Sequence, residues 1–217
     1  MDEVVPWIAR GGAVELWCDA VADVGDDGEA EAHYRYERSF AGVSGSLPIR
    51  VGVQAVAAFD GACPHLVADM RCGAYEARPR TCRIYPAEVV PGRVLDPAAK
   101  SCPPEAWSGA PVMFDAETRG AAAAFQRAHV ADQPVRARVA ALLGLGRAAL
   151  RNEGFVVVRP APGLLAEVIA AALKGEGEVE RAWHLLSPRA ATLSLMEDAG
   201  AAALACAGDA ADFVALY

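Results

Sequence analysis

The sequence predicts an α+β protein in which an irregular, strand-containing, cysteine-rich amino-terminal half packs on an alanine-rich helical carboxy-terminal half. Three observations predict it. Apolar and polar residues alternate in short runs before residue 60, as they do in half-buried strands. Cys63, Cys72 and Cys82 lie in one stretch punctuated by proline and glycine, and Cys102 follows. From about Asp115 onward, alanine and leucine recur at helical spacing. The expected division is a cysteine-cluster region over 1–110 and a helical bundle region over 111–217.

The elements follow in order. Residues 12–18 (GAVELWC) and 32–37 (AHYRYE) are strand candidates, joined into an expected hairpin by an acidic, glycine-bearing loop. That loop lacks the spacing and closing glutamate of a calcium site. After the turn-rich 44–48, residues 49–56 alternate as a further strand or an extended lead-in to the cysteines. Proline suits a first helical position, so 79–84 forms one helical turn that Pro86 stops, with Cys82 projecting from it. Residues 89–95 form a short hairpin or loop. Helices are expected over 116–131, 134–152, 162–174, 178–186 and 190–217, the last with a glycine break or two, and a short strand or buried connector interrupts them at 155–158.

A chain of 217 residues with 54% hydrophobic content can bury a core without needing a metal to fold. Its 20 Lys+Arg against 28 Asp+Glu give a net charge of −8, which opposes nucleic acid and anionic membrane surfaces as general partners. The amino terminus lacks the basic and apolar regions of a secretory leader, and no apolar run is long enough to span a bilayer, so a cytoplasmic, reducing location is the expectation. In that setting clustered thiols point to metal or redox work rather than structural disulfides.

The gaps between Cys63, Cys72, Cys82 and Cys102 are eight, nine and nineteen residues, so no Cys-x-x-Cys knuckle is present. Their number still suffices for one tetrahedral zinc or one [4Fe–4S] cluster, because thiolates are soft anionic donors. Burial as small hydrophobic residues and a redox pair are the competing readings. His65 adjoins Cys63 and could complete or replace a ligand, although packing or a supporting hydrogen bond is the preferred role. Cys206 is expected in a helix core, and Cys18 either packs in a strand core, the slightly favoured reading, or joins the downstream cysteines as a ligand. His33, His129 and His184 are scattered and expected to be ordinary side chains.

Cys63-Pro64-His65-Leu66, Cys72-Gly73-Ala74-Tyr75-Glu76-Ala77-Arg78-Pro79 and Cys82-Arg83-Ile84-Tyr85-Pro86 together resemble the cysteine-cluster family of zinc- or iron-chelating domains often called YkgJ-like. The resemblance covers roughly residues 60–105. It implies metal ligation by Cys63, Cys72, Cys82 and Cys102. It also implies support of the centre by Arg78 and Arg83, which stand at the family's Arg-Pro and Cys-Arg positions. Tyr75 and Tyr85 would then pack over the metal. The chain departs from the family upstream, where a compact CxxCxxCC cluster is usual and only Cys18 occurs here, and at His65, where the family carries an apolar residue.

Flagellin lysine N-methylases are similar in their cysteine pattern, and that similarity implies an iron–sulfur enzyme modifying a protein or peptide partner. No radical-type cysteine triplet or glycine-rich nucleotide loop accompanies it. A third reading is a helical scaffold that binds another protein and carries its metal for structure alone.

Overall fold

The computed structural model describes residues 1–26, 28–100, 104–107, 116–179, 182–207 and 212–216. A short helix, α1 (Val4–Ala9), buries Trp7 and ends at Gly11, whose φ of +84° turns the chain into β1 (Ala13–Ala22). A Cβ at Gly12 would sit 2.1 Å from Trp7 Nε1, so only glycine lets β1 start beneath that indole. Alternation along β1 sends Val14, Leu16, Cys18 and Ala20 into the core, as the sequence pattern predicts.

Residues 32–37 correct the expected hairpin, because they belong to a helix, α2 (Ala30–Glu37). Tyr34 and Tyr36 imitate strand alternation, yet only Tyr34 is buried, and Glu31–Arg35 and His33–Glu37 pair across one helical turn. The hairpin comes next instead. β2 (Phe40–Ser44) and β3 (Leu47–Ala58) are joined by Gly45 and Ser46, with Gly45 at φ +60°. A five-residue helix, α3 (Arg80–Ile84), confirms the expected turn after Pro79.

The alanine-rich part holds α4 (Ala116–Ala131), α5 (Gln133–Leu142), β4 (Arg147–Leu150), β5 (Gly154–Val158), α6 (Pro162–Leu173), β6 (His184–Ser187), α7 (Ala190–Asp198), β7 (Ala203–Ala205) and β8 (Phe213–Ala215). The helices α4 and α6 and the strand β5 match expectation, whereas three predicted helices do not run as read. The helix expected over 134–152 stops at Leu142; Gly144 at φ +70° ends it, and 147–150 pair as a strand. Of the helix expected over 178–186, residues 184–186 belong to β6 instead, and 180–181 lie outside the described residues. The last helix ends at Gly200, φ +87°, and gives way to β7 and β8.

These strands enter the same sheet as β1–β3, so a purely helical bundle over 111–217 is not what forms. The eight-stranded sheet, curled into a half-barrel, runs β2-β3-β1-β4-β6-β7, with β5 pairing both β1 and β8. β1 lies antiparallel to β3 from Ala13↔Ala58 to Ala22↔Ile49. Along its other edge it meets β5 at Leu16–Cys18 and then β4 at Asp19–Ala20, where the sheet divides. Helix α7 carries the chain between β6 and β7, which are parallel. Leu165, Ile169 and Val139 of α6 and α5 cover the sheet together with Trp183, all essentially sealed from solvent. No helix among the described residues is long and apolar enough to cross a membrane.

Candidate metal centre

Beyond β3 the chain bends at Gly61, φ +72°, into the cysteine segment. The Leu66 N–H donates to the Cys63 carbonyl at 2.9 Å and folds Cys63-Pro64-His65-Leu66 into a tight turn. A small hairpin follows, in which Leu66 bridges Cys72, the Val67 N–H donates to the Arg71 carbonyl at 2.9 Å, and the Gly73 N–H donates to the His65 carbonyl at 2.7 Å. A Cβ at Gly73 would meet Val67 Cγ1 at 2.9 Å, so glycine permits this close return. Cys63, His65 and Cys72 thus sit on one hydrogen-bonded unit.

Cys82 arrives from α3, whose first turn is closed by the Cys82 and Arg83 N–H groups donating to the Pro79 carbonyl. Two arginines brace this turn through the backbone. Arg83 Nε donates to the Arg78 carbonyl at 2.9 Å and Nη2 to the Glu76 carbonyl at 3.0 Å, while Arg78 Nε donates to the Tyr75 carbonyl at 2.9 Å. The Arg78 guanidinium also lies 3.5 Å from the centre of the Tyr75 ring. Arg80 grips Asp2 with both terminal nitrogens, at 3.0 and 2.6 Å, and its N–H donates to Glu3, which ties α3 to the start of the chain. That grip holds the Asp2 carboxyl below its ordinary range. Arg71 pairs with its neighbour Asp69 on the surface.

Cys63, Cys72, Cys82 and His65 all line one cavity of about 350 Å³. Its apolar wall is built from Val4, Trp7, Val14, Ala57 and Phe59, where α1 and the paired ends of β1 and β3 meet. Among the described residues no group of three histidine, cysteine or acidic donors stands at coordination geometry, so the thiols share this space without closing on a single point. Cys102 lies outside the described residues. Arg78 lines the cavity. Arg83 acts on the backbone behind it, and Tyr75 and Tyr85 are largely exposed and do not line it.

The donor chemistry fits a thiophilic metal. Burial raises the proton affinity of the Cys82 thiol first, its Thr81 contact lowers it, neighbouring Cys63 and Cys72 raise it further, and Arg78 lowers it. The Cys82 thiol therefore resists losing its proton while its neighbours are charged, a repulsion that a bound cation removes. The Nε2 atom of His65 is buried without any hydrogen-bond partner. Cys18, by contrast, is buried in β1, with its thiol pushed up to about 12 by burial, and Cys206 follows β7 rather than lying in a helix.

The sequence reading missed a further part of the cavity lining. Phe125, His129, Asp132 and Arg136 come from α4, α5 and the residue between them, at spacings of four, three and four. Such spacing was the available signal, since it puts all four on one side of a helical path. Nδ1 of His129 and the Tyr34 hydroxyl share a hydrogen bond of 2.8 Å. Burial, reinforced by Arg136 and Arg38, lowers His129 to about 3 and keeps it neutral. Arg136 is buried, its Nη2 donates to the Arg38 and His129 carbonyls at 2.8 and 2.6 Å, and burial lowers it to about 10.

Residues 23–103 match the family designated CxxCxxCC, whose description proposes zinc or iron chelation. The matched stretch begins just past β1 and takes in α2, β2, β3 and the whole cysteine segment as far as Cys102. No curated protein and no solved structure matches the chain at a significant level.

Proposed function

We propose that the protein binds zinc or iron through Cys63, Cys72 and Cys82, and that the metal locks the segment between β3 and α3 against the sheet. The observation carrying this reading is that three thiols, delivered by a turn, a hairpin and a helix, line one cavity within a segment similar to a chelating family. A bound dication would neutralise the thiolates and tie the turn, the hairpin and the helix to one another. The fourth position has two claimants in the chain, Cys102 from the cysteine pattern and His65 from the cavity. Arg78 and Arg83 hold the ligand-bearing turn in place through the backbone carbonyls of Tyr75, Glu76 and Arg78.

The test is metal content after oxygen-free purification, compared between the native chain and a Cys72→Ser, Cys82→Ser double variant. The native protein should carry one equivalent of zinc, or iron with acid-labile sulfide, and the variant little or none, with its sheet still folded. Full metal content in the variant overturns the assignment.

A second reading, an enzyme modifying a protein or peptide side chain as the methylase similarity implies, draws support from the cavity. Its volume far exceeds one ion and falls within the range of small-ligand pockets. Brown, iron-containing protein that transfers a methyl group from S-adenosylmethionine to a lysine peptide would favour it; colourless zinc protein without transfer would rule against it.

A further inference from the structure

We infer that His65 Nε2 is a metal ligand, so that the centre is a three-sulfur, one-nitrogen site suited to mononuclear zinc; this rests on the metal-binding reading above. His65 lines the same cavity as Cys63, Cys72 and Cys82, and its Nε2 is cut off from solvent with no partner in the protein. A buried imidazole nitrogen left without a partner is costly, and a neutral ring offers a lone pair that a metal uses directly.

The ring is also held in place for the task. It packs edge-on against Trp7, with centroids 5.0 Å apart and planes at 85°. Trp7 is itself buried, and its Nε1 donates to the Ala13 carbonyl at 3.0 Å. The backbone adds a second constraint, because the His65 carbonyl accepts from Gly73, next to Cys72, while Leu66 bonds back to Cys63. This unit therefore carries two sulfurs and the nitrogen together along the cavity that Cys82 of α3 also lines.

Charge points the same way. Four thiolates around a dication leave a doubly negative centre, whereas three thiolates and a neutral imidazole leave a single negative charge beside Arg78, which also lines the cavity. Tetrahedral zinc accepts a Cys₃His set, while a [4Fe–4S] cluster is held by four cysteines. Nitrogen ligation at His65 therefore selects zinc and leaves Cys102 outside the coordination sphere.

X-ray absorption on the zinc-loaded native chain reads the ligand set without any substitution, and three sulfurs with one nitrogen are expected. Cobalt-loaded His65→Ala should lose the native visible spectrum and bind metal more weakly by more than the 10–100-fold that outer partners typically cost. His65→Cys should restore tight binding with a four-sulfur spectrum, and Cys102→Ser should keep the native one. Four sulfurs and no nitrogen in the native chain overturn the inference, as does a Cys102→Ser variant that loses metal while His65→Ala keeps its spectrum. Those results leave metal binding standing; a native chain that takes up neither zinc nor cobalt overturns both readings.

Discussion

His129 makes the fold sensitive to mild acid in a way that one substitution can isolate. In the native chain its pKa is lowered to about 3, while an unfolded histidine titrates near 6.5. Between these values the unfolded chain holds a proton that the native ring refuses, so stability falls as the pH is lowered from about 6.5 towards 3. Above 6.5 both states are neutral and the contribution vanishes. At pH 5 the deficit spans roughly 1.5 pH units at about 1.4 kcal/mol each, or about 2 kcal/mol. His33 works in the opposite direction, since Asp26 raises its affinity for a proton, but it is common to both proteins compared.

The comparison is between the native chain and His129→Gln, whose amide can still hydrogen-bond Tyr34 and which does not titrate. Urea unfolding at pH 7 and pH 5 should show the native protein losing about 2 kcal/mol more than the variant, a relative midpoint shift of about 1 M for a slope near 2 kcal/mol/M. Any metal contribution enters both proteins and cancels in the difference. Equal losses for the two proteins would show that the ring takes up its proton in the fold, and the argument from burial among arginines would be refuted.

Four other substitutions probe the frame and the ligand-bearing turn. Gly154→Ala should cost about 1–3 kcal/mol and expose 213–215 to hydrogen exchange, because the new Cβ would lie 2.4 Å from the Val214 carbonyl oxygen of the paired strand. Asp19→Ala should cost about 3–5 kcal/mol by stranding Arg151, its partner in an ion pair that is nearly sealed on the Asp19 side. Adding Arg151→Met should recover part of that loss in a double-mutant cycle, and additive losses would argue against direct coupling. Arg83→Lys keeps the charge but cannot span the carbonyls of Glu76 and Arg78. It should weaken metal binding by about 10–100-fold in a competitive chelator titration while leaving the urea midpoint of the metal-free chain unchanged.

The cysteine segment was legible because its chemistry is written in residue identity: thiols, the Arg-Pro and Cys-Arg pairs, and the proline that starts α3. Which thiols meet is a matter of tertiary approach, and only the structure brings 63, 72 and 82 to one cavity. His65 shows the limit clearly. Beside Cys63 it could be packing or ligand, and the sequence gives no sign of the two facts that bear on the choice, Trp7 against its ring and no partner for its buried nitrogen. His129 and Arg136 carried a readable helical spacing, but nothing in their own segment shows that they face a thiol-lined space.

The misread strands share a cause. Alanine is the best helix former in isolation, yet Ala148 and Ala149 in β4 are fully buried, where their small size lets β1 and β6 flank them while helices cover the sheet. Propensity over such a segment favours helix by tenths of a kcal/mol per residue, and burying a strand on both sides outweighs that preference. Glycine was the better guide. Gly144 and Gly200, both at positive φ, mark where helical backbone must stop, and each precedes a strand that the alanine count had assigned to helix. The resulting sheet seats β1 between strands from both parts of the chain. The cavity wall formed by Val14 and Ala57 is therefore anchored by the whole fold, a firm surface against which the metal centre proposed for the cysteine segment would close.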